Sequence, residues 1–170
     1  MKLNIQSEQF PNVFYGIIEI PKESNVKCEL NEDFNMIEFD RELSNSMIYP
    51  GNYGFIPSTL AEDGDPVDIV MIDSDPHIEA GTLVKLKPLG ILKMMDCGFI
   101  DNKILTTTSK DKSINDITDV YEKFLDKTKD FFANYKNLDN QKVVIGGWKG
   151  REEALGYLKD KIKPRTKFLK

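Results

Sequence analysis

One stretch constrains this chain more than any other. Asp63-Gly64-Asp65-Pro66-Val67-Asp68 runs straight into Ile69, Val70, Met71 and Ile72. The glycine opens backbone conformations closed to other residues and the proline fixes its own φ, so the stretch starts as a tight turn. The apolar run after it reads as a buried strand. An isolated acidic triplet is usually a solvated loop. Here that reading loses ground, because Asp68 is embedded in the apolar strand, where a carboxylate is rarely left without a partner. Three carboxylates at one corner repel each other unless a cation sits among them. Their oxygens are the ligands that hard cations such as Mg²⁺ and Mn²⁺ prefer.

The rest of the first half reads as short strands punctuated by turns: Phe14 to Ile20, Val26 to Leu30, Met36 to Arg41, Asn52 to Phe55 and Ile100 to Thr107. Thr82 to Met94 is one long strand, or a pair broken near Pro88-Leu89-Gly90. Alternation puts Val26, Cys28 and Leu30 on one face, which makes Cys28 a small core residue. The second half is helical. Ile117, Val120, Tyr121, Phe124, Leu125, Thr128, Phe131, Phe132 and Tyr135 recur at helical spacing, with Thr118 or Asp119 as cap. A short strand at Val143 to Ile145 leads into a turn at Gly146-Gly147, and a last helix carries Ala154, Leu155, Leu158 and Ile162. The 170 residues suit a single domain, residues 1–170, of mainly β, α+β class: a small barrel with helices packed outside.

Composition removes several classes of function. A net charge of −5 argues against nonspecific binding to nucleic acid. The basic tail of Lys159, Lys161, Lys163, Arg165, Lys167 and Lys170 reads as a solvated helix face and a frayed terminus. The sole histidine, His77, lies in a turn-like loop, so neither a Ser-His-Asp triad nor a multi-histidine zinc site is expected. Two cysteines, Cys28 and Cys97, are too few for a disulfide framework and fit a reducing cytoplasm. No signal peptide and no membrane span are expected. A calcium loop starting at Asp63 would need glycine and glutamate where Asp68 and Ser74 stand, and no Walker-type phosphate loop occurs.

Glu19, Lys27, Glu29, Arg41, Tyr53, Asp68, Asp101 and Lys103 are polar residues placed in separate strands. Beside the acidic corner they predict one polar cavity. Its acids would hold metal, and Lys27, Arg41, Lys103 and Lys136 would bind a multiply charged anion, a layout suited to phosphoryl chemistry. A small barrel of this kind can instead bind single-stranded nucleic acid, but the acidic site and the net charge weigh against that.

These residues carry a resemblance. Asp63 to Asp68, Ile17-Ile18-Glu19-Ile20-Pro21, Lys27-Cys28-Glu29, Asp40-Arg41 and Tyr49-Pro50-Gly51-Asn52-Tyr53-Gly54 resemble motifs of the soluble family I inorganic pyrophosphatases of the compact bacterial type. So do Gly90 to Met94, Phe131-Phe132 with Tyr135-Lys136, and Gly147-Trp148, all in the same order. The resemblance runs from about Phe14 to Trp148. It implies a five-stranded, OB-like closed barrel and Mg²⁺-dependent hydrolysis of pyrophosphate to two phosphates. Several Mg²⁺ ions per site are implied, with Mn²⁺ or Zn²⁺ as substitutes, and a homo-hexamer. By the same resemblance Asp63, Asp68, Asp96 and Asp101 would ligate metal and Asp65 would be the general base. Lys27, Arg41, Tyr53, Lys103, Tyr135 and Lys136 would contact phosphate. Glu19 and Glu29 would be cavity carboxylates, with Tyr49 behind them. One departure stands out: Cys97-Gly98-Phe99-Ile100 separates Asp96 from Asp101, where family members usually carry a further Glu, or a Gln and a Glu.

Overall fold

A computed structural model describes residues 4–44, 46–136 and 142–169. The strands are β1 (Ile5–Ser7), β2 (Phe14–Ile20), β3 (Val26–Asn31), β4 (Met36–Glu42), β5 (Tyr53–Ile56), β6 (Val67–Met71), β7 (Leu83–Asp96), β8 (Phe99–Ile100) and β9 (Lys103–Thr108). After them come α1 (Glu122–Asn134), β10 (Val143–Gly150), α2 (Arg151–Lys159) and β11 (Lys167–Leu169).

Five strands close on themselves. β2 pairs with β7 and β5, β5 with β6, β6 in parallel with β9, and β9 returns to β7. Closure leaves no open edge in the barrel. β7 makes it possible. The sequence allowed one long strand or two; the chain builds one strand of 14 residues. Its register against β9 shifts between Pro88 and Gly90, the place where a proline lacking an N–H can sit in a sheet. A Cβ at residue 90 would stand 2.6 Å from the Lys149 carbonyl oxygen, so glycine lets β10 approach. β3 and β4 form a separate hairpin beside the barrel.

β6 shows why an unbroken apolar run marks this position. Val67, Ile69 and Met71 join Phe14, Ile18, Leu86, Ile91 and Ile104 in one cluster, which Ala154 and Leu158 of α2 close from outside. Val70 and Ile72 enter another cluster with Leu105, Val120 and Phe124. Both faces of the strand are buried, so no polar alternation appears. Phe131, Phe132 and Tyr135 of the α1 region pack with Tyr49, Ile20, Leu92 and Met94 in a third cluster.

Five expectations need correction. The helical spacing from Ile117 begins as a 3₁₀ turn at Ile117–Asp119, and α1 starts only at Glu122. Asp119 accepts from the Asn115 and Asp116 N–H groups rather than capping α1. Gly146-Gly147 is a bulge inside β10, not a turn, with Gly147 at φ +98°. α2 ends before Ile162, which bridges to Thr59. The basic tail is a solvated helix face only at Lys159, and beyond α2 it is not frayed: β11 pairs in parallel with β1, and Lys170 lies outside the described residues.

Candidate active site

The polar side chains predicted from the strands converge on one cavity of about 330 Å³. Glu19 comes from β2, Lys27 and Glu29 from β3, Tyr53 from β5, Asp68 from β6 and Asp96 from the end of β7. Lys103 opens β9 and Asp101 lies just before it, Asp63 and Asp65 come from the acidic corner, and Tyr135 and Lys136 follow α1. Arg41 is the exception. It is the cross-strand neighbour of Lys27, hydrogen-bonds Asp40 Oδ2 at 3.0 Å, and does not line the cavity. Tyr49 is buried beneath, its ring 5.4 Å from that of Tyr53. Cys28 also differs from expectation: it is half-buried and lines the cavity. Glu32, at the hairpin turn, lines the cavity as well. No local pattern distinguishes it from a solvated loop acid.

Lys103 organises the floor. Its ammonium, 2 % exposed, lies 2.5 Å from Asp68 Oδ2 and also bonds Asp101. Burial works against its charge, but the two carboxylates outweigh burial and hold it above the ordinary lysine range. Burial, reinforced by Asp68 and only partly offset by Lys103, raises Asp101 above the usual carboxylate range. Burial, again with Asp68, pushes Glu19 up to about 8, although Glu19 accepts a 2.8 Å bond from the Leu30 N–H. Asp65 is raised by burial and then by Asp63 and Asp68. Burial lifts the phenols of Tyr53 and Tyr135 well above their usual range, so both remain hydrogen-bond donors. At the rim, Lys27 bonds Asp40 and Glu29 at 2.6 and 2.7 Å, and Lys136 bonds Asp96.

Among the described residues, no three His, Cys, Asp or Glu side chains stand ready to grip one metal ion. Lys103 already bonds Asp68 and Asp101, and Lys136 bonds Asp96. The donor chemistry nonetheless suits a hard cation. The convergent acids offer only oxygen, and Asp96 Oδ1 is buried with no hydrogen-bond partner. Cys97, beside it, is exposed in a left-handed turn at φ +49°. His77 lies in an exposed loop, 3.3 Å from Glu79, far from any catalytic arrangement of its own.

The family model for inorganic pyrophosphatase matches residues 16–165. The chain belongs to the inorganic pyrophosphatase family. It is 39% identical over 158 residues to an inorganic pyrophosphatase of Aquifex pyrophilus, covering 89% of each chain. It is 36% identical over 161 residues to that of Picrophilus torridus, covering 93% of this chain and 90% of the relative. The crystal structure of inorganic pyrophosphatase from Thermus thermophilus superposes with a TM-score of 0.86 at 36% identity, covering 90% of this chain and 91% of that one. The barrel and its flanking helices are therefore the architecture of this family.

Proposed function

We propose that this inorganic diphosphatase splits pyrophosphate into two orthophosphates with the aid of Mg²⁺, using water as the nucleophile. The observation that carries the reading is the meeting of Asp63, Asp68, Asp96 and Asp101 with Lys27, Lys103 and Lys136 in one cavity. The four aspartates would hold the cations. Bound Mg²⁺ would lower the pKa of the attacking water and offset charge on the phosphoryl oxygens. Asp65 would serve as the general base for that water. Lys27 and Lys136 exchange carboxylate partners at the rim for phosphate oxygens. Tyr53 and Tyr135 would donate to the substrate, and Arg41, across the hairpin from Lys27, would contact phosphate with it. Lys103 stabilises the charge of the aspartates and of the product phosphate. Glu19 and Glu29 stand further out as cavity carboxylates. Phosphate release from pyrophosphate, measured with and without Mg²⁺, tests this reading. Full hydrolysis after exhaustive chelation would overturn it.

Residues 1–170 are proposed to form one pyrophosphatase domain. Mn²⁺ or Zn²⁺ would substitute for Mg²⁺ at an all-oxygen site less well. A cytoplasmic location accords with two free cysteines, and no described helix is long and apolar enough to cross a membrane. A homo-hexamer is proposed from the family, supported by exposed apolar side chains such as Leu83, Phe168 and Leu169. Light scattering showing a monomer at micromolar concentration would refute it.

A further inference from the structure

Two side chains of the C-terminal segment reach the acidic corner. The Tyr157 hydroxyl, on α2, donates to Glu62 Oε2 at 2.8 Å. Lys161 Nζ bonds the other oxygen of Glu62 at 2.7 Å. The Lys161 ammonium also sits over the Tyr157 ring, 4.8 Å from its centroid, which ties the two donors together. The backbones are joined as well. Leu60 N–H donates to the Lys161 carbonyl at 2.9 Å, Lys163 N–H donates to the Ser58 carbonyl at 2.8 Å, and Thr59 bridges to Ile162. The Tyr157 phenol also interacts with the side chain of Asn102, the residue between Asp101 and Lys103. Asn102 is in turn held by the Met94 N–H at 3.1 Å. One tyrosine thus touches both acidic segments of the site.

Beyond these backbone links, the corner is held where it enters β6, by the Val67 N–H on Thr59 Oγ1 at 2.9 Å. Asp63 and Asp65 are exposed, and neither has an ion-pair partner among the described residues. Gly64 stands at φ +97° with nothing within 4 Å of where a Cβ would be. Inside the corner, Ala61 N–H bonds the Asp65 carbonyl and Asp65 N–H bonds Asp63 Oδ1. Those bonds shape the turn but do not aim it at β6 or β9. Mutual repulsion of the carboxylates drives the corner away from Asp68 and Asp101. An outside anchor must oppose that.

We infer that Tyr157 and Lys161 are positioning residues that, through Glu62, hold Asp63 and Asp65 toward Asp68 and Asp101 and so set the cavity's affinity for a divalent cation. The inference rests on the metal reading above. It is tested by calorimetric titration of Mg²⁺ into the full-length, substrate-free protein. Tyr157→Phe, which keeps the ring and its packing, weakens Mg²⁺ binding about 10-fold, as loss of an outer partner of a ligand does. Glu62→Ala weakens it further, because it releases both partners. Adding Tyr157→Phe to Glu62→Ala costs much less than Tyr157→Phe alone, since the link through Glu62 is already gone and only the Asn102 contact remains to lose. Lys161→Ala also weakens Mg²⁺ binding, whereas Lys161→Arg, which keeps a cation for Glu62, stays near wild-type affinity; wild-type affinity in Lys161→Ala removes Lys161 from the brace. Wild-type affinity in Tyr157→Phe, even with a lowered melting temperature, overturns the brace, as do additive losses in the double variant. Asp68→Asn separates the two readings: it abolishes binding if the metal reading holds. Wild-type binding in Asp68→Asn overturns the metal reading itself.

Discussion

Lys103 and Glu19 are two buried charges treated in opposite ways. Lys103 has two carboxylates within bonding distance and aromatic rings of Tyr53 and Phe132 at 5.6 and 5.8 Å, so it stays charged. Glu19 has one backbone N–H and faces another acid, so its charge is disfavoured. That difference gives a pH-dependent prediction. Glu19 titrates near 8 in the fold against 4.5 unfolded. A carboxyl whose pKa is raised by folding binds more protons folded than unfolded between those values, so it costs stability as pH rises through that window. The gap is worth a few kcal/mol at about 1.4 kcal/mol per unit. Glu19→Gln keeps an acceptor for the Leu30 N–H and cannot ionise. In metal-free buffer its melting temperature matches wild type near pH 4.5, rises above wild type progressively to about pH 8, and the difference levels off there. Thermal unfolding across that range measures the difference. Asp65 belongs to the same scale. Asp65→Asn retains the corner's shape and slows turnover by about 10²–10⁴-fold, the usual cost of removing a general base. A pH–rate profile at saturating Mg²⁺ checks it, and near wild-type rates throughout would exclude Asp65 as the base.

At the scale of elements, the barrel depends on close contact between strands that are far apart in sequence. Gly54 on β5 pairs with Ile18 on β2, and a Cβ there would lie 1.9 Å from the Ile17 carbonyl oxygen. That oxygen is backbone and cannot swing away. Gly54→Ala therefore parts β2 from β5 and lowers stability by about 3 kcal/mol or more, at or above the upper end of overpacking costs. Urea unfolding reads it as a lower midpoint at unchanged slope. The α1 region contributes differently, through aromatic mass. Phe131 lies 4.6 Å from Tyr49 and 5.4 Å from Tyr135, and Phe132 lies 5.9 Å from Tyr53, ring centroid to centroid. This packing fixes the phenols that wall the cavity, so the helix serves the site without entering it.

For the whole molecule, closure of the barrel is what gathers acids from separate segments. The arrangement stores electrostatic repulsion that lysines relieve in part and that a divalent cation would relieve further. Ligands that bind only the folded state raise its stability by mass action. Mg²⁺ added from micromolar to about 10 mM should therefore raise the melting temperature of the wild type by several degrees, and chelator should reverse the gain. Asp68→Asn should lose most of that response. Differential scanning calorimetry distinguishes the two, and an equal shift in both proteins would place the cation elsewhere.

Local chemistry made much of this legible in advance. Gly64 and Pro66 announce a turn, the run from Val67 to Ile72 announces a buried strand, and Asp101 with Lys103 two residues on share a face; each depends on neighbours in the chain. The sequence by itself determined the strand-rich class, the acidic corner and, with the family resemblance, most of the charged and phenolic residues of the cavity. Tertiary structure alone decided the rest. Lys161 reaches Glu62 across 99 positions, and β1 pairs with β11 across almost the full chain. Arg41 reads as a cavity residue by motif; it stands across the hairpin from Lys27, hydrogen-bonded to Asp40 and just outside the lining. Gly146-Gly147 reads as a turn but becomes a bulge once β7 runs alongside. Turn and strand preferences come from sterics within a few residues, whereas pairing partners and ion-pair geometry depend on which distant segments closure brings together.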